Sequence, residues 1–199
     1  MLEKIEAVKD ALEKESYLPA LSLALTLPDI CGQIEYPEFY ILRKGKKINL
    51  TGKQYKTWFD NWVNHRYADP SGWTEDFQKA RNPYFTGAMC YDLRCSFLHS
   101  GNLSIGDFGE SEDEEFNYSY EFELWLAGCN SFGESWTESS RDKEKIKKTR
   151  NVSIDISELC KNLCLSAEDY YKFKGKDAFK NNEIRVINIQ NSPSRISIL

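Results

Sequence analysis

Apolar side chains recur one helical turn apart at Phe85, Met89, Leu93 and Phe97. A second series, at Tyr84, Ala88, Tyr91, Cys95 and Leu98, steps by four and three. At about 100° per residue the two series cover most of a helix circumference. The pattern predicts a helix over residues 84–102, apolar nearly all round and therefore central to the molecule. Pro83 suits its first turn, and Gly101 suits the left-handed position just past its end.

Upstream, Leu2, Ile5, Val8 and Leu12 form a single apolar stripe among charges, which predicts a surface helix over residues 2–15. Ser16 suits the cap of a second helix and Pro19 its first turn. Residues 18–35 are strongly apolar and should pack beside the central helix, kinked where Pro28 removes a backbone donor. Residues 36–50 hold Pro37, Gly45 and the cations Arg43, Lys44, Lys46 and Lys47, and read as a loop or short hairpin. Thr51 to Tyr67 reads as a helix with Tyr55, Trp58, Phe59, Trp62 and Val63 inward, followed by a loop over 68–83 with a short helix at 75–80.

Beyond residue 103 the period changes. Glu110 to Glu115 is an acidic loop. YSYEFELWL, residues 118–126, alternates as a half-buried strand does, and Val152, Ile154 and Ile156 repeat that alternation. Between them the run RDKEKIKKTR reads as a solvated, mobile hairpin arm. Ser157 to Lys174 is a helix with Leu159, Leu163, Ala167 and Tyr170 inward, and residues 184–189 suit one more strand. The expected fold is mainly α, a bundle of four or more helices with a small antiparallel β element inserted. It forms one domain over residues 1–199, with a helical core at about 1–103 and 157–174 and the β element at about 116–156.

Composition narrows the setting. With 41% hydrophobic and 14% aromatic residues in 199, the chain can bury a core. A net charge of -5 argues against a general nucleic-acid binder, though not against an enzyme that grips a short RNA locally. MLEKIEAVKD carries charges where a secretion signal needs an apolar run, and no run approaches membrane-spanning length. A cytoplasmic protein with six reduced cysteines, and no membrane partner, is expected.

The polar residues of the central segment carry the candidate chemistry. Asp92, Ser96 and His99 share a narrow stripe, while Arg94 and His99, five apart, lie roughly 140° apart on an ideal helix. They converge only if the helix end unwinds near Gly101, or if a second copy of the helix supplies the partner group. Asp29, in apolar company, needs a cation, and Arg94 is the obvious one.

RCSFLHSGN, residues 94–102, resembles the Arg-x(4–6)-His motif of the HEPN superfamily, helical-bundle proteins that include many metal-independent ribonucleases of toxin and phage-defence systems. The match covers about twenty residues at the motif. Many active members carry a polar residue, often Asn or His, directly after the arginine, where this chain has Cys95. The resemblance implies a HEPN-like bundle acting as a homodimer on RNA, with an antitoxin or regulatory protein as a further partner and without metal or other cofactor. Arg94 and His99 would be catalytic, with Asp92, Ser96, Asn102 and Asp29 in support. A histidine suits either proton transfer of RNA cleavage, and a guanidinium suits the added charge on phosphorus.

Other constellations are weaker. Asp92, Ser96 and His99 name a hydrolase triad but in an order that does not assemble on one helix. Cys95 and His99 could pair as thiol and imidazole, and Cys160 and Cys164 offer one edge of a zinc site with no second pair of ligand spacing. The alternative to an enzyme is a non-catalytic interaction or regulatory module in which Arg94 braces Asp29 and His99 bonds a carbonyl at the helix end.

Overall fold

The structure is a computed structural model that describes residues 1–67, 85–100, 104–108, 116–128, 130–137 and 146–182. The N-terminal stripe forms α1, Leu2–Glu13, with Ile5 and Val8 buried. The apolar stretch that follows is two helices, not one kinked helix: α2, Tyr17–Ala24, and α3, Leu27–Glu35. Pro28 lies in the first turn of α3, where a missing N–H costs nothing, and its ring forbids a helical carbonyl four residues back. The chain breaks at Leu25–Thr26 instead, and the Thr26 hydroxyl donates to the Leu23 carbonyl at 2.7 Å.

Residues 36–50 fold as a hairpin. β1, Tyr40–Arg43, pairs antiparallel with β2, Lys46–Asn49. Lys44 and Gly45 join them at φ 50° and 73°, both left-handed as a tight two-residue turn of right-twisted strands requires. Next comes α4, Thr51–Trp62, which buries Tyr55, Trp58 and Phe59 completely, and a short 3₁₀ turn, Asn64–Tyr67.

The segment expected to be central begins later than its pattern implies. Helix α5 spans Gly87–Cys95; the Thr86 hydroxyl accepts from Met89 N at 3.4 Å, and Asp60 Oδ1 takes the Gly87 amide at 2.7 Å. It buries one face only, through Met89, Cys90 and Leu93, with Ala88, Tyr91, Arg94 and Cys95 half-buried. Tyr84, Pro83, Gly101 and the expected short helix at 75–80 lie outside the described residues.

The β region is larger than expected, and its main pairing is parallel. β3, Ser104–Phe108, β4, Phe116–Trp125, β5, Ser131–Thr137, and β6, Ile146–Asp155, form a sheet in the order β3-β4-β6-β5. β4 and β6 run parallel, with Phe122 opposite Val152 and Leu124 opposite Ile154. The other neighbours are antiparallel. The charged run reads as a solvated, mobile hairpin arm, yet its second half, from Ile146, is the start of β6, flanked by a strand on each side. Polar side chains do not prevent this, because a ladder satisfies the backbone whatever the side chains carry. The strand expected at 184–189 and the acidic loop at 110–115 lie outside the described residues.

Asp155 joins sheet to helix. Its carboxylate accepts from Glu158 N at 2.8 Å as the cap of α6, Ile156–Lys174, and from Gly128 N at 3.1 Å. Helix α6 buries Leu159, Leu163, Ala167 and Tyr170, the residues its period marks as inward, and a 3₁₀ segment, Lys176–Asn182, follows. The chain is thus mainly helical, and no helix among the described residues is long and apolar enough to cross a membrane.

The core closes through aromatic edges. Tyr170 meets Trp58 and Trp62 at 5.7 and 5.1 Å, and Phe85 meets Phe59, Tyr67 and Phe122 at 5.7, 5.2 and 6.2 Å. Gly32 lets α3 lie directly on α4: a Cβ there would stand 2.5 Å from the Gln54 carbonyl oxygen. Gly32→Ala should therefore lower the unfolding free energy by about 2 kcal/mol, the scale of an overpacked core. Gly45→Ala, whose Cβ would meet nothing, should cost about 1 kcal/mol for its left-handed backbone alone. Paired denaturant titrations check this, and equal losses would refute the close-contact account.

Candidate functional site

Arg94 is in the last turn of α5, and His99 is in the segment that follows, Ser96–Ser100. That segment is a π turn, with hydrogen bonds reaching five residues along instead of four. An α-helix would hold positions 94 and 99 roughly 140° apart. The wider turn sets residues five apart nearly above one another, and Arg94 Nη1 reaches His99 Nε2 at 3.2 Å. The two groups therefore meet within one chain. A guanidinium can only donate, so Nε2 accepts, and the ring proton sits on Nδ1 in this arrangement.

The other edge of the guanidinium is occupied. Asp29, in the first turn of α3, takes Nε at 3.2 Å and Nη2 at 3.1 Å on one oxygen, Oδ2. The Asp29 and Arg94 side chains are 16% and 22% exposed, so the pair is half-buried while His99 is open to solvent. Burial pushes the Asp29 carboxyl up, and the Arg94 charge and hydrogen bond restrain the rise. Burial works against the Arg94 charge, but Asp29 and Cys95 outweigh it and the guanidinium is held more firmly protonated. Cys95 Sγ lies 3.8 Å from Nη1, so the thiol neighbours the arginine.

The remaining candidates do not converge there. Asp92 belongs to another face of α5, with Lys56 of α4 as the charge acting on it. Its Oδ2 is buried without a hydrogen-bond partner among the described residues, and burial pushes the carboxyl up to about 6, with Lys56 opposing. Ser96 closes α5 as its C-terminal cap residue. Asn102 lies outside the described residues. Cys160 and Cys164 are buried in the core, where burial pushes Cys164 up to about 12. Among the described residues no group of three or more His, Cys, Asp or Glu side chains is gathered as a metal site would need.

Two features had no signal in the pattern. Tyr91 lies against Gly52 and packs edge-on to Tyr55 at 5.3 Å, which puts the C-terminal half of α5 beside the first turn of α4. Phe97, in the π turn, lines an apolar groove of about 590 Å³ with Tyr17, Leu18, Leu124, Leu126 and Ile156. Segments so far apart in the chain have no shared spacing to read.

Removing the Asp29 charge should unseat the arginine. Asp29→Ala should cost about 1–2 kcal/mol, below the cost for a fully buried pair because solvent reaches this one. Asp29→Ala combined with Arg94→Ala should cost less than the sum of the two singles, and strict additivity in a double-mutant cycle would deny the coupling. Asp92 gives a pH dependence. The folded chain holds the Asp92 proton more tightly than the unfolded chain, so its contribution to stability is full below about pH 4 and lost as pH rises through about 6. Asp92→Asn should melt higher than the parent chain at pH 8, and the gap should close by about pH 4. A gap that is constant across that range would contradict the buried carboxylate.

Comparison with protein families, curated proteins and solved structures finds no match to this chain.

Proposed function

We propose that the chain is a metal-independent RNA-cleaving or RNA-binding protein of toxin or defence type with a HEPN-like bundle, acting as a homodimer in the cytoplasm. One observation carries the reading: the Arg94 guanidinium and the exposed His99 imidazole lie 3.2 Å apart at the open end of a π turn. π turns inside helices are uncommon and recur at functional sites. The resemblance of residues 94–102 to the Arg-x(4–6)-His motif adds to it.

Chemically, cleavage needs a base for the 2′-hydroxyl, a cation for the charge that gathers on phosphorus and an acid for the 5′-oxygen. The 2′-oxygen attacks phosphorus, the bond to the 5′-oxygen breaks, and the products are a 2′,3′-cyclic phosphate and a 5′-hydroxyl. His99 serves as the base once a phosphate oxygen takes the Arg94 Nη1–H in place of Nε2. Arg94 keeps its charge throughout, fixed in direction by Asp29. His99 of a second copy, across a two-fold axis, serves as the acid. An antitoxin or regulatory protein would act by covering this end of the bundle.

The Asp29–Arg94 ion pair favours a second reading, a non-catalytic interaction module in which Arg94 braces α3 against α5. Cleavage of a mixed RNA pool in chelator, with a melting curve for each variant, separates the two. His99→Ala should fold as the parent does and lose about 10²–10⁴ in rate, the usual yield of a general acid or base. Arg94→Ala should lose both rate and stability. A parent chain that cleaves no RNA, with Arg94→Ala melting early and His99→Ala unchanged, leaves only the brace.

A further inference from the structure

The β1–β2 hairpin is not used by the reading above, and its chemistry differs from that of the rest of the chain. Between Tyr36 and Lys56 there are six cations and one carboxylate, Glu38. The remaining residues hold thirty carboxylates and twenty cations. All eight strand residues are exposed, on both faces of the ribbon. Arg43, Lys44, Lys46 and Lys47 form no ion pair among the described residues. Unpaired, same-sign charge concentrated on one projecting ribbon of an acidic protein is repulsive until an anion meets it.

The order of side chains along the ribbon narrows the anion. From base to tip the pairs are Tyr40 with Asn49, Ile41 with Ile48, Leu42 with Lys47, then Arg43 with Lys46 and the Lys44–Gly45 turn. A hairpin built to enter a bilayer would put its apolar residues at the tip. Here the tip is cationic, and the exposed apolar side chains, Ile41, Leu42 and Ile48, lie behind it. Cations flanking apolar and aromatic faces suit a single nucleic-acid strand, whose phosphates and bases make both demands. The ribbon has its own aromatic footing: Lys47 lies 4.4 Å over the Tyr40 ring, Lys53 lies 4.2 Å over Phe39, and Tyr36 stacks on Phe39 at 5.0 Å.

Its position is the second argument. Leu50 N bonds to the Phe39 carbonyl at 2.9 Å, closing the hairpin where α4 begins. Gly52, in that first turn, abuts Tyr91, one helical turn before Arg94 and Cys95. The ribbon therefore rises from the end of the bundle that carries Arg94 and His99, and at about 3.3 Å per residue its tip stands roughly 17 Å beyond its base. We propose that the β1–β2 hairpin grips single-stranded RNA through Arg43, Lys44, Lys46 and Lys47 and leads it to the Arg94–His99 pair. The identity of the strand as RNA rests on the function proposed above.

The test is binding of a fluorescent single-stranded RNA of about twelve nucleotides, within the range one binding module covers. The protein is the full chain carrying His99→Ala, so the probe survives. Anisotropy is read from about 50 to 200 mM salt, with and without Arg43→Gln, Lys44→Gln, Lys46→Gln and Lys47→Gln together. The quadruple variant should bind at least about tenfold more weakly at low salt, and its log–log salt slope should be shallower by about 3, since each phosphate contact contributes about 0.7. The exposed positions should leave the melting temperature in place; if it falls, Lys44→Gln with Lys47→Gln is read in the same way, with half the change in slope. Unchanged affinity and slope overturn the proposal. So does binding of the parent chain to vesicles rich in phosphatidylserine, lost in the quadruple variant, with no binding to RNA. The two readings fail separately. A parent chain that binds RNA through the hairpin but never cleaves it removes the nuclease and keeps the grip. A parent chain whose cleavage and binding are untouched by the four substitutions removes the grip and keeps the nuclease.

Discussion

Burial of the aromatic face of α4 is the constraint on which the other elements depend. Tyr55, Trp58 and Phe59 have no exposed surface. Withdrawing each such ring from water is worth about 1.5–3 kcal/mol before edge contacts are added. Every neighbour is shaped to reach that face. Helix α3 comes close enough only because residue 32 is glycine. Helix α6 offers Tyr170 to Trp58, and the sheet sends Phe122 to Phe85, which rests on Phe59. Helix α5 is held by Asp60 at its start and by Tyr55 against Tyr91 further along. The Arg94–His99 geometry is downstream of this packing, since α3 and α5 are each positioned by α4.

Arg94 sits where stability and the proposed chemistry compete. Its Nε and Nη2 go to Asp29, and its Nη1 faces His99 and Cys95. A guanidinium fits this division because its donors lie in one rigid plane, so fixing one edge aims the other. A lysine would hold the charge but not the direction. Asp92 shows the cost of polarity on the same helix: its buried Oδ2 finds no partner among the described residues, and its proton is held up to about 6. Unpartnered buried carboxylates are uncommon and cluster at functional sites. Asp92 nonetheless faces Lys56 rather than His99, so it supports the proposed chemistry only through its helix.

The distribution of charge gives the molecule two characters. Net charge alone, -5, argues against nucleic acid, yet the sum hides a cationic ribbon on an acidic body. Attraction acts locally, over about 10 Å at moderate salt, so a ribbon that projects from the surface is seen by a polyanion largely apart from the rest. The repulsive body would then discourage binding anywhere but at the ribbon.

Much of the fold could be read directly from the residues. The one-turn spacing of Tyr55, Trp58 and Phe59, the stripe of Ile5 and Val8, and the inward set of α6 each fixed a buried face, because periodicity reports local geometry. Pairing of Asp29 with Arg94 was legible too, since a carboxylate in apolar company must find a cation. What tertiary structure alone decided depends on contacts between distant segments. Pro28 marked a disturbance but not a full break; Phe85 to Leu98 looked apolar all round although α5 buries one face; and β6 was half hidden in a charged run whose partners fix it through the backbone. The meeting of Arg94 and His99 is the clearest case. Their spacing of five places them apart on any α-helix, and only the π turn at Ser96–Ser100 brings them together. Side-chain order along a chain specifies a period, whereas the choice between a four-residue and a five-residue turn is made by what the helix end must reach.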